Sequence, residues 1–205
     1  MGHKYQELAF TERVRAEQTT MGSRATYARR EGGDADVNDR LGPSEADFIG
    51  RRDSFYMATV GETGWPYIQH RGGPEGFVRI LDEKTLGFAD FAGNRQYISV
   101  GNLAGDDRVS LFFMDYANRT RLKLLGRART IGRDDGDVID TLVMPGYKAR
   151  VERGLLITVE AFDWNCSQHI TPRFTAADVE HAVAPLRQRL AELEALLGAT
   201  PTGRR

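Results

Sequence analysis

Two short runs in this chain combine residue types that grip anions. Gln69-His70-Arg71-Gly72-Gly73 and Gly93-Asn94-Arg95-Gln96 each set an arginine beside glycine. The guanidinium offers a planar fork of donors, and glycine lets backbone N–H groups come close to a bound oxygen. Each run follows a segment of strand character, with a strand–turn–strand between them. Two such corners brought together across a small sheet can hold one phosphate from both sides. Asp90 and Asn94 flank the second corner and can meet hydroxyl groups. Arg121, at the start of a later strand, can complete a basic pocket. A surface arginine at a bulge looks the same in sequence, so the pairing of Arg71 with Arg95 carries this reading.

Other chemistries are poorly served. His70 can polarise a substrate or meet a phosphate, yet no Glu-x-x-His or His-x3-His spacing accompanies it, so no metal site is expected. The run Asp163-Trp164-Asn165-Cys166-Ser167-Gln168-His169 follows a strand and sets an indole, amides, a thiol and an imidazole close together. It reads either as a polar loop or as the second wall of a site, with Trp164, Gln168 and His169 against a flat ring. Cys166 and His169 lack an orienting third group for nucleophilic catalysis. There is no Walker loop and no Gly-x-Gly-x-x-Gly, so a triphosphate or Rossmann site is not supported. No residue stands out as a general acid or base.

Composition narrows the classes further. The chain has 205 residues, 40% hydrophobic and 28% charged, with a formal net charge of -1. That fits one globular domain with tails and gives no bulk electrostatic case for nucleic acid or a membrane surface. No apolar run approaches the roughly 18 residues of a membrane-spanning helix. The first residues lack the basic-then-apolar pattern of a leader, and one cysteine excludes an intrachain disulfide. A cytoplasmic location is expected.

The elements that must position these residues follow from period and punctuation. Residues 1–43 read as a polar arm with a short helix over Tyr5–Gln18 and irregular stretches at Gly22–Tyr27 and Glu31–Asp39. The arm is either solvated, the reading preferred here, or wrapped on a partner subunit through Phe10, Met21 and Tyr27. Ser44 is the expected cap of a helix ending at Gly50. Strands are expected at Ser54–Val60, Trp65–His70, Phe77–Leu81, Thr85–Asp90, Arg108–Asp115, Arg121–Ile131 and Gly154–Phe162. Leu111-Phe112-Phe113-Met114 is apolar on both faces, which suggests a strand buried under a helix. Gln96–Leu103 reads as a helix turning Tyr97, Ile98 and Val100 inward, and Asp134–Val143 as another helix. Six or seven short strands with few helices point to a small, mainly β barrel with flanking helices, over residues 44–174. Residues 175–205 form a helix capped by Thr175 and Asp178, kinked or divided at Pro185, and frayed from residue 198. Its Val179, Val183, Leu186, Leu190, Leu193 and Leu197 stripe either packs on the chain's own sheet, the reading preferred here, or forms a seam with a partner.

The ordered series Phe55-Tyr56-Met57-Ala58-Thr59-Val60, Gly64-Trp65-Pro66-Tyr67, Arg71, Gly93-Asn94-Arg95-Gln96, Arg108-Val109-Ser110-Leu111 and Gly126-Arg127-Ala128 resembles the pyridoxamine 5'-phosphate oxidase-like family. The resemblance spans roughly Asp53–Ile131. It implies a split β-barrel that binds FMN, usually as a homodimer with flavin at the subunit interface. Carried over residue by residue, it places Gln69, His70, Arg71, Gly72, Asp90, Asn94, Arg95, Gln96 and Arg121 at the flavin, with Trp164, Gln168 and His169 closing the site from the second subunit. Where the family has Arg-Lys after a Ser, this chain has Arg95-Gln96 after Asn94. Its Arg-x-His element for pyridoxal phosphate is also missing. The resemblance therefore implies an FMN-dependent oxidoreductase of a small molecule other than the true oxidase. The alternatives are a non-enzymatic flavin-binding module, or a barrel taking deazaflavin or haem.

Overall fold

The computed structural model describes residues 2–29, 31, 36–164 and 167–198. In chain order the elements are β1 (Gly2–His3), α1 (Lys4–Ala9), α2 (Glu12–Thr20), α3 (Arg24–Ala28), β2 (Asp36–Val37), α4 (Pro43–Gly50), β3 (Ser54–Val60) and β4 (Pro66–Gly72). Then come β5 (Val78–Asp82), β6 (Thr85–Phe91), α5 (Ile98–Gly105), β7 (Arg108–Asp115), β8 (Thr120–Ile131), α6 (Gly136–Leu142), β9 (Val151–Trp164) and α7 (Ala176–Gly198). Seven antiparallel strands form one sheet in the order β4-β3-β7-β8-β9-β6-β5, and β1 pairs with β2 in parallel.

Alternation builds the barrel. Phe55 and Met57 on β3, Leu111 and Phe113 on β7, and Leu122 and Leu124 on β8 all point inward and are buried. Phe55 is the hub, with ring centroids 4.9 Å from Phe113, 5.3 Å from Phe88 and 5.9 Å from Phe77. The β3–β4 hairpin turns at Gly64, whose φ of 81° lies in the left-handed region that glycine adopts without strain. On β6 and β9 both faces are covered, because Leu142 of α6 packs with Ala89, Ile131 and Leu156 outside the main core. Pairing of β8 with β9 shifts register between Leu125 and Gly126, which oppose Ala161 and Val159, so Glu160 is an extra residue in β9.

Several expectations change. The helix expected over Tyr5–Gln18 is two helices broken at Phe10, and the second is capped by Thr11, whose hydroxyl accepts from the Val14 N–H. Gly22–Tyr27 is not irregular throughout, since α3 begins at Arg24. Of Glu31–Asp39, residues 32–35 lie outside the described residues, as do Asn165, Cys166 and residues 199–205. The arm is not simply solvated. Lys123 reaches the Tyr5 ring at 4.6 Å and His3 lies 3.6 Å from Asp163, so α1 rests on the chain's own β8–β9 surface. Phe10 and Tyr27 meet edge to face at 5.2 Å, while Met21 remains exposed.

Ser44 is not the cap of α4. The helix starts at Pro43, and the Glu45 carboxylate accepts from the Gly42 N–H at 2.9 Å. The same carboxylate accepts from the Trp164 indole N–H at 2.7 Å, and the Trp164 ring meets Phe48 edge to face. Thr175 and Asp178 do cap α7 reciprocally, but the helix continues through Pro185 rather than dividing there. Its stripe does not pack on the sheet, and Leu186 is 69% exposed. Nor does a helix cover the outer face of β7. Phe112 and Met114 are half-buried under the segment Ile170–Arg173 that follows β9.

Two outcomes follow from these anchors. Trp164→Phe keeps the ring contact but strands one Glu45 oxygen in a nearly closed site. Chemical denaturation should show a loss of roughly 1–3 kcal/mol. A loss within error would show that water satisfies Glu45 equally well.

Asp115 lies 3.0 Å from Arg52, with both side chains largely buried. Burial pushes its carboxyl up, but two hydrogen bonds from Asn118 and the Arg52 charge outweigh that and hold it below the ordinary value. A depressed folded-state value gives stability that is present above the unfolded value and lost as pH falls through the folded one. Asp115→Asn should therefore be destabilised near neutral pH by roughly 1.5–3 kcal/mol. The gap to wild type should close as pH drops below the ordinary aspartate value of about 3.9. A gap constant from pH 7 to pH 3 would exclude this account.

Candidate functional site

The two arginine corners do meet. Tyr67, Gln69 and Arg71 face inward from β4, and Asp90 and Phe91 face them from β6. The corner Gly93–Gln96 and the first turn of α5 complete a cleft of about 210 Å³ with Glu152 on its wall. A second hollow of about 150 Å³ shares Gln69, Arg71, Asp90 and Phe91 and adds His70, Gly72, Phe77 and Phe88, so the two are continuous. β4 is one end strand of the sheet and β6 lies next to the other end, so the cleft sits in the split of the barrel.

Charges in the cleft are paired. Arg71 donates to Asp90 at 2.6 Å, with both side chains about nine-tenths buried. Arg153 lies 3.5 Å from the other Asp90 oxygen and places its guanidinium 4.9 Å from the Tyr97 ring centre. Arg95 donates through Nε to the Tyr97 hydroxyl at 3.2 Å. That bond, then the charges of Tyr97 and Glu152, push Arg95 above its ordinary value. Tyr97 in turn donates to Glu152 at 3.4 Å. Arg95 and Tyr97 both have positive φ, 61° and 54°, so the corner is held in a conformation that side-chain-bearing residues rarely adopt. Gln69 accepts from the buried Ser99 hydroxyl at 2.8 Å, tying the start of α5 to β4.

The helix α5 differs from expectation. It begins at Ile98, and Ser99 is its buried residue. Tyr97 and Ile98 are exposed and line the cleft instead of entering the core, as does the half-buried Val100.

Of the residues singled out in sequence, Gln69, His70, Arg71, Gly72, Asp90, Asn94, Arg95 and Gln96 all line this split. Arg121 does not join them within one chain. It faces a separate cleft of about 330 Å³ on the outer face of β3, β7 and β8, with Tyr56, Phe112, His169 and Arg173. His70 lies beside this region, its ring 5.6 Å from Tyr56. Trp164 lines neither cleft and is held by Glu45 and Phe48. Gln168 is exposed and lines neither. Tyr67, Tyr97, Ser99 and Glu152 went unnoticed as wall residues, as did Arg153 behind Asp90. The pairing of Asp90 with Arg153 between β6 and β9 explains the last, because a contact so far apart in sequence leaves no local trace.

Two buried arginine nitrogens bear on what the clefts can take. Nε of Arg71, beside the split, and Nε of Arg121, on the outer face, have no hydrogen-bond partner. An unpaired buried donor is costly, so each is suited to an added acceptor. Phosphate and polyol oxygens supply acceptors of this kind. No cluster of histidine, cysteine or acidic residues suited to a metal occurs among the described residues. No helix of the described residues is long and apolar enough to cross a membrane.

Comparison with known proteins identifies the family. No curated protein matches the sequence. Among solved structures, a protein related to general stress protein 26 of the pyridoxinephosphate oxidase family, from Clostridium acetobutylicum, is 18% identical. It covers 66% of this chain and 94% of its own, with a TM-score of 0.44. An FMN-binding protein from Syntrophomonas wolfei is 13% identical, covering 76% of this chain and 96% of its own at a TM-score of 0.44. HupZ of Group A Streptococcus is 18% identical, covering 65% and 99% at 0.45. The family model described as pyridoxamine 5'-phosphate oxidase matches residues 42–153, from the start of α4 into β9, and so takes in both arginine corners. With its seven-stranded split barrel, this chain belongs to the pyridoxamine 5'-phosphate oxidase family.

Proposed function

We propose that the split binds FMN and that the protein is an FMN-dependent oxidoreductase of a small molecule. The observation that carries this is the buried, unpartnered Arg71 Nε in a cleft shared with Arg95. Arg71 and Arg95 would hold the phosphate, and Gln96 and the backbone of Gly93 and Asn94 would support it. Gln69, His70, Gly72 and Asp90 would meet ribityl or ring atoms. Bound FMN would supply the electron and hydride chemistry, while the protein binds, orients and shields it.

One chain offers part of such a site. Each hollow in the split is smaller than the roughly 300–1,000 Å³ usual for a ligand of this size. The outer cleft carries the other expected contributors, Arg121 and His169, together with the unpaired Arg121 Nε. A homodimer that sets the outer cleft of one subunit over the split of the other would bring both halves to one flavin. Exposed Tyr56 lines that cleft, and exposed Ile68 lies on the same outer face. Trp164 and Gln168 play no part in this arrangement.

Arg71→Ala should weaken FMN binding by roughly 2–4 kcal/mol, since it removes a desolvated phosphate partner. Arg95→Ala, at a more exposed position, should cost about 1–2 kcal/mol. Fluorescence titration measures both, with thermal unfolding separating lost affinity from lost fold. Unchanged affinity in both variants would end the assignment. Reduction of the yellow protein by NADH or NADPH, followed by turnover with an added acceptor, supports an enzyme. Bound flavin without either would leave a binding module.

A further inference from the structure

Helix α7 is 23 residues long, roughly 34 Å at 1.5 Å per residue. It meets the barrel only at its start, where Thr175, Ala177 and Asp178 line a cleft with Arg52 and Asp115. Beyond that turn no other described element packs extensively along it. Val179, Leu186, Leu190, Leu193 and Leu197 are all exposed, and Val183 is half-buried. A folded chain rarely leaves a continuous apolar stripe of this kind in water. We infer that α7 pairs with α7 of a second copy of this chain as a parallel two-stranded coiled coil.

The register supports this occupant. The stripe steps by four, three, four, three and four, which places Val183, Leu190 and Leu197 at a, and Val179, Leu186 and Leu193 at d. Val183 at a followed by Leu186 at d is the pairing that favours two strands, and leucines fill the later a and d positions. Pro185 then falls at c, on the outer face, where it does not interrupt the seam.

The flanking charges choose the direction. In a parallel pair, Arg189 at g faces Glu194 at e of the second copy, and the reverse contact repeats it. An antiparallel pair in full overlap sets Arg187 near Arg187, Arg189 near Arg189 and Glu180 near Glu194. Like charges there are unfavourable. Within one chain Arg189 donates to Glu192 at 2.8 Å, a short surface contact that pairing can exchange at little cost. This inference does not rest on the flavin reading.

Cysteine cross-linking of the full-length chain tests it, in a Cys166→Ser background. Leu190→Cys should form an intermolecular disulfide under mild copper–phenanthroline oxidation at least about tenfold faster than Glu192→Cys, whose side chain points away from the seam. No preference for position 190 would overturn the pairing. Cross-linking of Leu190→Cys to Leu186→Cys in a mixture, but not to itself, would overturn the parallel direction. Arg189→Glu and Glu194→Arg should each slow the Leu190→Cys reaction, and mixing the two variants should restore it. A mixture no faster than either alone would refute the charge register. Positions 186, 189, 190, 192 and 194 are exposed, so barrel unfolding and FMN titration should match those of the Cys166→Ser parent. A failure here is therefore separable from a failure of the flavin assignment.

Discussion

The ion pair between Arg71 and Asp90 joins the two ends of the sheet. β4 closes one end and β6 lies beside the other, and no ladder of backbone hydrogen bonds connects them. A single 2.6 Å contact between largely buried groups holds that gap to a fixed width. Such a pair gives little net stability, because desolvation offsets most of its attraction. Removing one partner is another matter, since it leaves a charge buried alone. The pair therefore acts mainly to set geometry, and the geometry it sets is the floor of the cleft.

The other walls are fastened in the same manner, by polar links between elements distant in sequence. Gln69 to Ser99 ties β4 to α5, and Asn102 to Thr59 ties α5 to β3. The corner carrying Arg95 and Tyr97 adopts left-handed backbone at both residues, a cost of roughly 1–2 kcal/mol each. Tyr97 offsets it by holding Arg95, Glu152 and Arg153 around one ring. Acidic and basic groups alternate around the cleft, so it is a preorganised polar frame more than a positive hole.

Much of this was legible before any coordinates. Arg108–Asp115 is a strand with the limits expected from its doubly apolar run, and the two arginine corners line one cleft because β4 and the turn after β6 face each other across the split. Boundaries failed where side chains took over from backbone pattern. Glu45 displaces Ser44 as the cap because its carboxylate reaches back to Gly42. α5 starts later than its apolar residues suggest because Tyr97 is spent on the corner. Glu152 on the cleft wall and Arg153 behind Asp90 were invisible because β9 reaches the site only through its pairing with β6. The α7 stripe was misassigned for a different reason. Heptad spacing states that a face must be covered, but not by what.

The extra residue at Glu160 reverses the phase of β9. Leu155, Ile157 and Val159 enter the core at odd positions, and past the bulge Phe162 enters at an even one, with Trp164 packed beside it. Without it, the same stretch would turn Phe162 and Trp164 to the outside. The indole would then lie on the face that carries Arg121, where its place in the sequence suggested a ring-stacking wall. One inserted carboxylate, drawn outward to Arg127, thus converts an aromatic ligand wall into a rivet between the last strand and the first helix of the barrel.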